Sequence, residues 1–278
     1  MSTTRIPQQR TIPTTNVLGV EVSAVSLEFA TDEILHWIEE DRQHSGLWSG
    51  HCGLTTGHYV AVTGVHGIIE SQDDPHFKRI LNASGMVVPD GMPLVWLSRL
   101  AGHRSVTRVY GPDLTLSLSQ ALGARQKSAF YYGGVPGVAD QLARILETRY
   151  PGLKTAGTFS PPFRELTSQE EDGVVALINH SGAHVVWVGL STPKQERWMA
   201  RLRHRLKVPV LIGVGAAFDF HTGRVRQAHP WVQRSGFEWL FRLCMEPRRL
   251  AKRYLRNNPL FIYLLLCQQL KLRDFRAT

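Results

Sequence analysis

The amino-acid sequence predicts an α/β fold: a parallel sheet flanked by helices, followed by a helical, basic appendage at the C-terminus. Three observations predict it. From Tyr59 to Gly213, short apolar runs alternate with helical stretches, most of roughly ten to fourteen residues, the pattern of a parallel sheet covered on both faces. All of these runs but Leu153–Thr158 close on Gly or Asp, residues that turn a chain at a strand end. The third observation is charge. Lys and Arg outnumber Asp and Glu by 32 to 23, and the whole excess of nine lies in Arg224–Thr278, where twelve basic residues meet three acidic ones.

Taken in order, residues 1–16 read as a disordered lead, and Val17–Val22 as a short strand. Thr31–Arg42 is a helix capped by Thr31, with Ile34, Leu35 and Ile38 on one face. The four glycines of His44–Gly57 mark a loop. The sheet strands are Tyr59–Thr63, Met86–Val88, Ala129–Tyr132, Leu153–Thr158, Ala183–Val188 and Val208–Gly213. The helices between them run from about His66 to Asn82, then Pro93–Ala101, Asp113–Arg125, Val138–Tyr150, Ser168–Asn179 behind the cap Thr167, and Pro193–Leu206 with Pro in its first turn. After about Pro230 the strands stop, and three helical stretches follow, broken by Pro247 and Pro259. The organisation is thus a lead over 1–16, a body over 17–229 and an appendage over 230–278.

A chain of 278 residues with 43% hydrophobic content builds a substantial core, which excludes wholesale disorder. Three cysteines, Cys52, Cys244 and Cys267, are too few and too scattered for a disulfide framework or a zinc cluster, and suit a reducing compartment. The polar N-terminus lacks the apolar segment of a signal peptide. The longest apolar run, Leu260–Cys267, falls far short of the ~20 residues that span a bilayer. A soluble or peripheral protein is expected.

Five strings are candidates for chemistry. Pro89-Asp90-Gly91 holds an acid on a stiff turn at the sheet's carboxyl edge, as a general base requires; for the tripeptide alone an ordinary Asx-turn is the plainer reading. Gly133 and Gly134 open a turn whose following helix offers free N–H groups to a phosphate. Gly189 through Pro193-Lys194-Gln195-Glu196 repeats that geometry. Lys194 suits a phosphate and Gln195 a sugar or base, and Glu196 is counted with them as substrate-binding, a solvated first turn being its plain alternative. In GVGAAFDF, Asp219 sits between two phenylalanines and needs either a sugar hydroxyl or an arginine partner. Met92 and Trp96 read as core residues. The tail interleaves arginines with Trp, Phe, Tyr and Leu, which suits an anionic bilayer surface or a diphosphate. Nucleic acid is the rival partner; the leucines of Phe261–Leu272 favour lipid, so nucleic acid is not expected.

These strings resemble, in one order over roughly residues 55–258, the WecG/TagA/CpsF family of bacterial glycosyltransferases. The resemblance rests on Thr63-Gly64-Val65-His66, PDGMP, Arg108-Val109-Tyr110-Gly111-Pro112-Asp113, GGVPG, GLSTPKQE, GVGAAFDFHTG and EWLFRLCMEPRRLAKRY. It implies a Rossmann-like sheet and inverting transfer of a sugar, often of N-acetylmannosamine type, from a UDP-sugar to a polyprenyl-diphosphate-linked saccharide. It also implies no required metal and an appendage that completes the site at the membrane. The resemblance makes Asp90 the base, places Thr63 beside the acceptor and sugar, and matches Arg108 and Asp113 to the RVxGxD motif. It sets Gln195 near the donor, and Arg242, Arg249 and Arg253 as the appendage arginines. The asparagine that many members carry shortly after the threonine is missing here, so the transferred sugar stays open, as does a homo-oligomer.

Chemistry alone gives a consistent picture. Inverting transfer needs a base for the acceptor hydroxyl and a positive group for the departing diphosphate. The sequence holds no DxD string for a divalent ion, and arginines crowd the tail, so Arg side chains and helix N-termini are expected to replace a metal. A nucleotide-sugar binding protein without turnover is the alternative. A nucleotide-dependent oxidoreductase is weakened by the absence of GxGxxG at the first glycine turn.

Overall fold

The computed structural model describes residues 11–45 and 57–276. Six parallel strands form the central sheet in the order β4-β3-β8-β7-β5-β6: β3 (His58–Thr63), β4 (Met86–Pro89), β5 (Ser128–Gly133), β6 (Lys154–Phe159), β7 (Val185–Gly189) and β8 (Val210–Gly213). A hairpin of β1 (Thr14–Val17) and β2 (Val20–Ser23) precedes it. The sheet is buried on both sides, which explains the continuous apolar runs. In β7, Val185 and Trp187 pack into one layer with α1 (Leu27–Ser45), α5 (Gly111–Ala124) and α6 (Val138–Arg149). Val186 and Val188 face the other, toward α7 (Ser168–Ser181) and α8 (Lys194–Leu202). The Rossmann-like α/β reading is therefore correct.

Several boundaries differ for physical reasons. The strand expected at Val17–Val22 is a hairpin, because Leu18 and Gly19 take positive φ and turn the chain; β1 also claims Thr14–Asn16 from the expected lead, of which residues 1–10 lie outside the described residues. Thr31 is not a cap. It lies inside α1, where its hydroxyl donates to the Leu27 carbonyl at 2.8 Å and meets Ser117 Oγ at 3.0 Å. The helix expected from His66 to Asn82 is two, α2 (Val65–Asp73) and α3 (Pro75–Asn82): Asp74 caps the second by accepting from the N–H groups of His76 and Phe77, and Pro75 starts it. Of the expected loop at His44–Gly57, residues 46–56 lie outside the described residues, and α1 runs to Ser45.

The segment after residue 230 forms α10 (Pro230–Arg234), α11 (Glu238–Met245) and α12 (Pro247–Gln269). Pro259 does not break α12. It occupies the exposed side, and the hydrogen bond it removes belongs to the carbonyl of the exposed Leu255, while Asn257 and Phe261 anchor the helix on either side. Nor does α12 offer all its apolar residues to solvent. Phe261, Leu264 and Cys267 are buried against Val17, Val20 and Val22 of the hairpin and Ile68 and Ile69 of α2. Gln268 clasps the same hairpin, accepting from the Leu18 N–H at 3.1 Å and donating to the Asn16 side chain at 2.9 Å.

This packing yields a contrast between two neighbours on one helix. Phe261→Ala should lower stability by about 3–5 kcal/mol, the usual cost of emptying a buried phenylalanine site. Leu266→Gln, on the opposite side and 56% exposed, should change it by less than about 0.5 kcal/mol. Urea unfolding midpoints of the two variants check the difference.

Candidate active site

The carboxyl ends of β3, β4, β7 and β8 open into a cavity of about 620 Å³, walled on its far side by α4 (Met92–Leu100), α11 and α12. Parallel sheets place ligands at this edge, where the strand order reverses. The reversal lies at β3, which pairs with β4 on one side and with β8, the last strand, on the other.

Asp90 follows β4 directly. Its N–H donates to the Thr63 carbonyl at 3.0 Å, and its Oδ1 accepts from the Gly111 N–H at 3.3 Å. Arg108 Nε donates to its backbone carbonyl. The turn is thus held from three directions. Burial pushes the carboxyl above the ordinary aspartate range against the pull of Arg108, with Glu238 adding to the upward push.

Arg108 joins this turn to the appendage. Its Nη2 pairs with Glu238 Oε2 on α11 at 2.5 Å, and its guanidinium lies 3.9 Å from the centre of the Tyr110 ring. Burial works against the Arg108 charge, and Asp90 and Glu238 outweigh it, holding the guanidinium protonated. Tyr110 is buried beside both carboxylates, and its phenol is pushed far upward, first by burial.

The three appendage arginines line the same cavity. Arg242 lies with its guanidinium 5.6 Å from the Phe220 ring centre, and its Nε is buried without a partner. Arg249 pairs with Glu246 at 2.6 Å. Burial lowers the Arg253 pKa, and Arg242 and Arg249 push it the same way. Guanidiniums that repel one another across an open cavity make a receptor for a multiply charged anion.

The loop between β7 and α8, through Thr192, and the first turn of α8, through Gln195, form another wall. The Gln195 amide is committed within the protein: Oε1 accepts from the Gly215 N–H at 2.9 Å and Nε2 donates to Glu196 Oε1 at 3.1 Å. It therefore fixes the β8 loop beside the cavity. Glu196 is not in a solvated turn. It is wholly buried, Thr192 Oγ1 donates to it at 2.8 Å, and burial pushes its carboxyl upward.

Of the residues singled out from sequence, Asp90, Arg108, Gln195, Arg242, Arg249 and Arg253 line the cavity. Thr63 lies between the lining residues Val62 and Gly64, its buried hydroxyl unpartnered. The glycine turns are used for packing: a Cβ on Gly133 would fall 2.5 Å from the Gly189 carbonyl oxygen, one on Gly189 would sit 3.0 Å from the Phe218 ring, and one on Gly134 3.0 Å from Val138. Pro193 precedes α8, while Lys194 and Asp113 are exposed on first helical turns outside the lining. Asp219 pairs with Arg224 at 3.6 Å at the surface, so its partner is an arginine but not a core one. Trp96 is not core: it is half-exposed, lines the cavity and packs over Gly236. Sequence reasoning passed over Tyr110, Glu238 and Asn257, and read His66 only as part of a string. Tyr110 stood within the RVYGPD string; Glu238 carried no signal, because an acid at the start of a helix is commonplace.

The Asp90 environment has a consequence for stability. A carboxyl whose folded pKa is raised costs no free energy below the ordinary aspartate range, where folded and unfolded chains both hold the proton. The cost grows as pH rises toward the folded value. Asp90→Asn removes it, so the variant should be more stable than the parent at pH 8, and the advantage should shrink toward pH 3. Urea midpoints across that range read it.

The profile of the glycosyl transferase WecG/TagA/CpsF family matches residues 15–275. The chain is 30% identical over 176 residues, 63% of its length and 67% of the other, to the N-acetylglucosaminyldiphosphoundecaprenol N-acetyl-beta-D-mannosaminyltransferase of Bacillus subtilis (strain 168). It is 26% identical over 223 residues, 80% of its length and 82% of the other, to the protein of the same name in Bacillus spizizenii (strain ATCC 23059 / NRRL B-14472 / W23). With the match running from β1 past the end of α12, this chain belongs to the WecG/TagA/CpsF family and is a glycosyltransferase.

Proposed function

We propose that the cavity transfers a sugar from a UDP-sugar to a saccharide carried on a polyprenyl diphosphate, in the synthesis of a bacterial cell-surface polysaccharide. One observation carries this reading: a carboxyl of raised proton affinity, Asp90, shares a cavity with three appendage arginines. The names of the two Bacillus relatives support the acceptor class, and the sugar is of N-acetylmannosamine type or a related hexose or uronic acid.

Asp90 takes the proton of the acceptor hydroxyl as that oxygen attacks the anomeric carbon. The bond from that carbon to the diphosphate breaks on the opposite face, the configuration inverts, and UDP leaves with the electron pair. Raised basicity favours proton transfer, and the hold of Gly111 and Arg108 on the Asp90 turn fixes its direction. Arg242, Arg249 and Arg253 neutralise the diphosphate charge, which writes the reaction without a metal. Thr63, beneath Gly64, offers its free hydroxyl to the sugar or acceptor.

The same reading makes the protein peripheral on the inner face of the cytoplasmic membrane. No helix of the described residues is long and apolar enough to cross a membrane. The outer side of α12 and its C-cap instead carry Ile262, Leu266 and Leu270, all more than half exposed, and the exposed Lys271 and Arg273 follow directly. Apolar residues beside basic ones bind anionic interfaces.

The test is UDP release from a panel of UDP-sugars with a short-chain polyprenyl-diphosphate acceptor in excess EDTA. The parent should turn over one of them, and Asp90→Asn should lose about 10²–10⁴-fold in kcat with an unchanged circular dichroism spectrum. Near-normal turnover removes Asp90 as the base, and activity restored only by manganese removes the arginines as sole charge stabilisers. For the membrane, removing residues 230–278 would strip Phe261 and Leu264 from the core, so point changes are the cleaner probe. Ile262→Gln, Leu266→Gln and Leu270→Gln combined should release the protein from sedimenting phosphatidylglycerol vesicles.

A further inference from the structure

We infer that His66 is a positioning residue: it fastens α12 to the first turn of α2, and so sets which way the appendage arginines face. The inference rests on the proposed transfer only for its kinetic consequence; the fastening itself does not depend on that reading.

His66 stands in the first turn of α2, in the cavity wall. The Asn257 side-chain amide, on α12, donates to its Nδ1 at 3.0 Å, so the ring proton sits on Nε2. The β7–α8 loop runs alongside, with the Thr192 methyl 3.5 Å from where a Cβ on Gly67 would sit, and the Thr192 backbone pulls the imidazole pKa upward against burial. One imidazole thus joins two helices 191 residues apart in sequence. Asn257 is only 3% exposed, although it lies in the middle of a helix where an asparagine is otherwise mildly unfavourable.

The place of Asn257 on α12 gives the bond its reach. Arg249, Arg253 and Asn257 follow one another at intervals of four residues, so they share one stripe of the helix. Fixing Asn257 against His66 fixes the rotation of that stripe, and both arginines then line the cavity. On the loop side, Thr192 also donates its hydroxyl to Glu196, which accepts from Gln195 in turn. The charged groups around the ring are Glu70 on α2, 3.6 Å from Nδ1, and Arg253 on α12; one turn on, Arg256 and Asp73 pair at 2.6 Å. Burial, followed by Arg253, lowers the imidazole pKa to about 4, so at neutral pH Nδ1 is free to accept.

Two substitutions separate hydrogen bonding from packing. Gln at 66 supplies an acceptor and a donor without titrating; Leu is of similar bulk and supplies neither. In amide hydrogen exchange, His66→Leu should speed exchange over residues 249–258 at least tenfold, while His66→Gln should stay within threefold of the parent. With a UDP-sugar and a polyprenyl-diphosphate acceptor, kcat should fall at least tenfold in His66→Leu and recover in His66→Gln. Asn257→Ala removes the same bond from the α12 side and should match His66→Leu, which keeps the test open even if that variant does not fold. Unchanged exchange in both apolar variants, equal effects of Leu and Gln, or altered exchange with unaltered kcat would each overturn the positioning role. Exchange that follows the expected order in a protein that transfers no sugar would leave the fastening intact and sink the proposed transfer instead.

Discussion

The Arg108 guanidinium is the point on which the site depends. It lies in the interior between the Asp90 turn and the Glu238 carboxylate, and its plane covers Tyr110. A buried charge that loses its partner costs about 3–5 kcal/mol. The body therefore cannot keep Arg108 where it is without α11, and α11 cannot bury Glu238 without Arg108. This mutual requirement joins a neutral sheet domain to a basic helical segment at the residue whose proton affinity matters most. It also explains why Asp90 is not simply neutralised by its neighbour: Glu238 divides the attention of the arginine, and burial then decides the direction of the shift.

The remaining arginines are handled differently. Arg108 is compensated by acids within the protein, whereas Arg242 and Arg253 face the cavity and one another. Positive charge left unpaired beside buried groups lowers stability unless something anionic enters. In the proposed transfer a diphosphate offsets that cost, because the charge that burdens the protein alone is the charge that would hold the ligand. The zero net charge of residues 1–223 sharpens the effect, since it leaves the appendage as the dominant source of positive potential.

Much of this was legible in the sequence because it is periodic or local. The strands show as apolar runs because both faces of the sheet are covered, and Asp90 shows because Pro89 and Gly91 frame it. What was illegible depends on contacts distant along the chain. Glu196 looks like a solvated first-turn acid until Gln195 and Thr192 turn inward to bond it. Trp96 looks like core until Gly236, 140 residues away, is seen to make room for it at the cavity wall. The glycines at 133 and 189 look like a phosphate cradle, yet the close approach they permit is of one strand end to another. Thr31 and Pro259 misled in the same way. Each is a boundary signal by propensity, and each was overruled by tertiary burial of the helix around it.

The helix α12 shows how one element serves two chemistries. Its inward stripe begins with Arg249, Arg253 and Asn257 over the cavity and continues, one turn on, as Phe261, Leu264 and Cys267 against the hairpin. The apolar half supplies the binding energy, since a buried Phe and Leu contribute roughly 1.5–3 kcal/mol each. The polar half supplies direction, because charged side chains held on a helix anchored elsewhere need not provide their own adhesion. The outer stripe, with Leu255 and Leu266, takes no part in either task and remains exposed. A helix fixed so firmly from within can offer its outer side to a lipid surface without being pulled away from the cavity it closes.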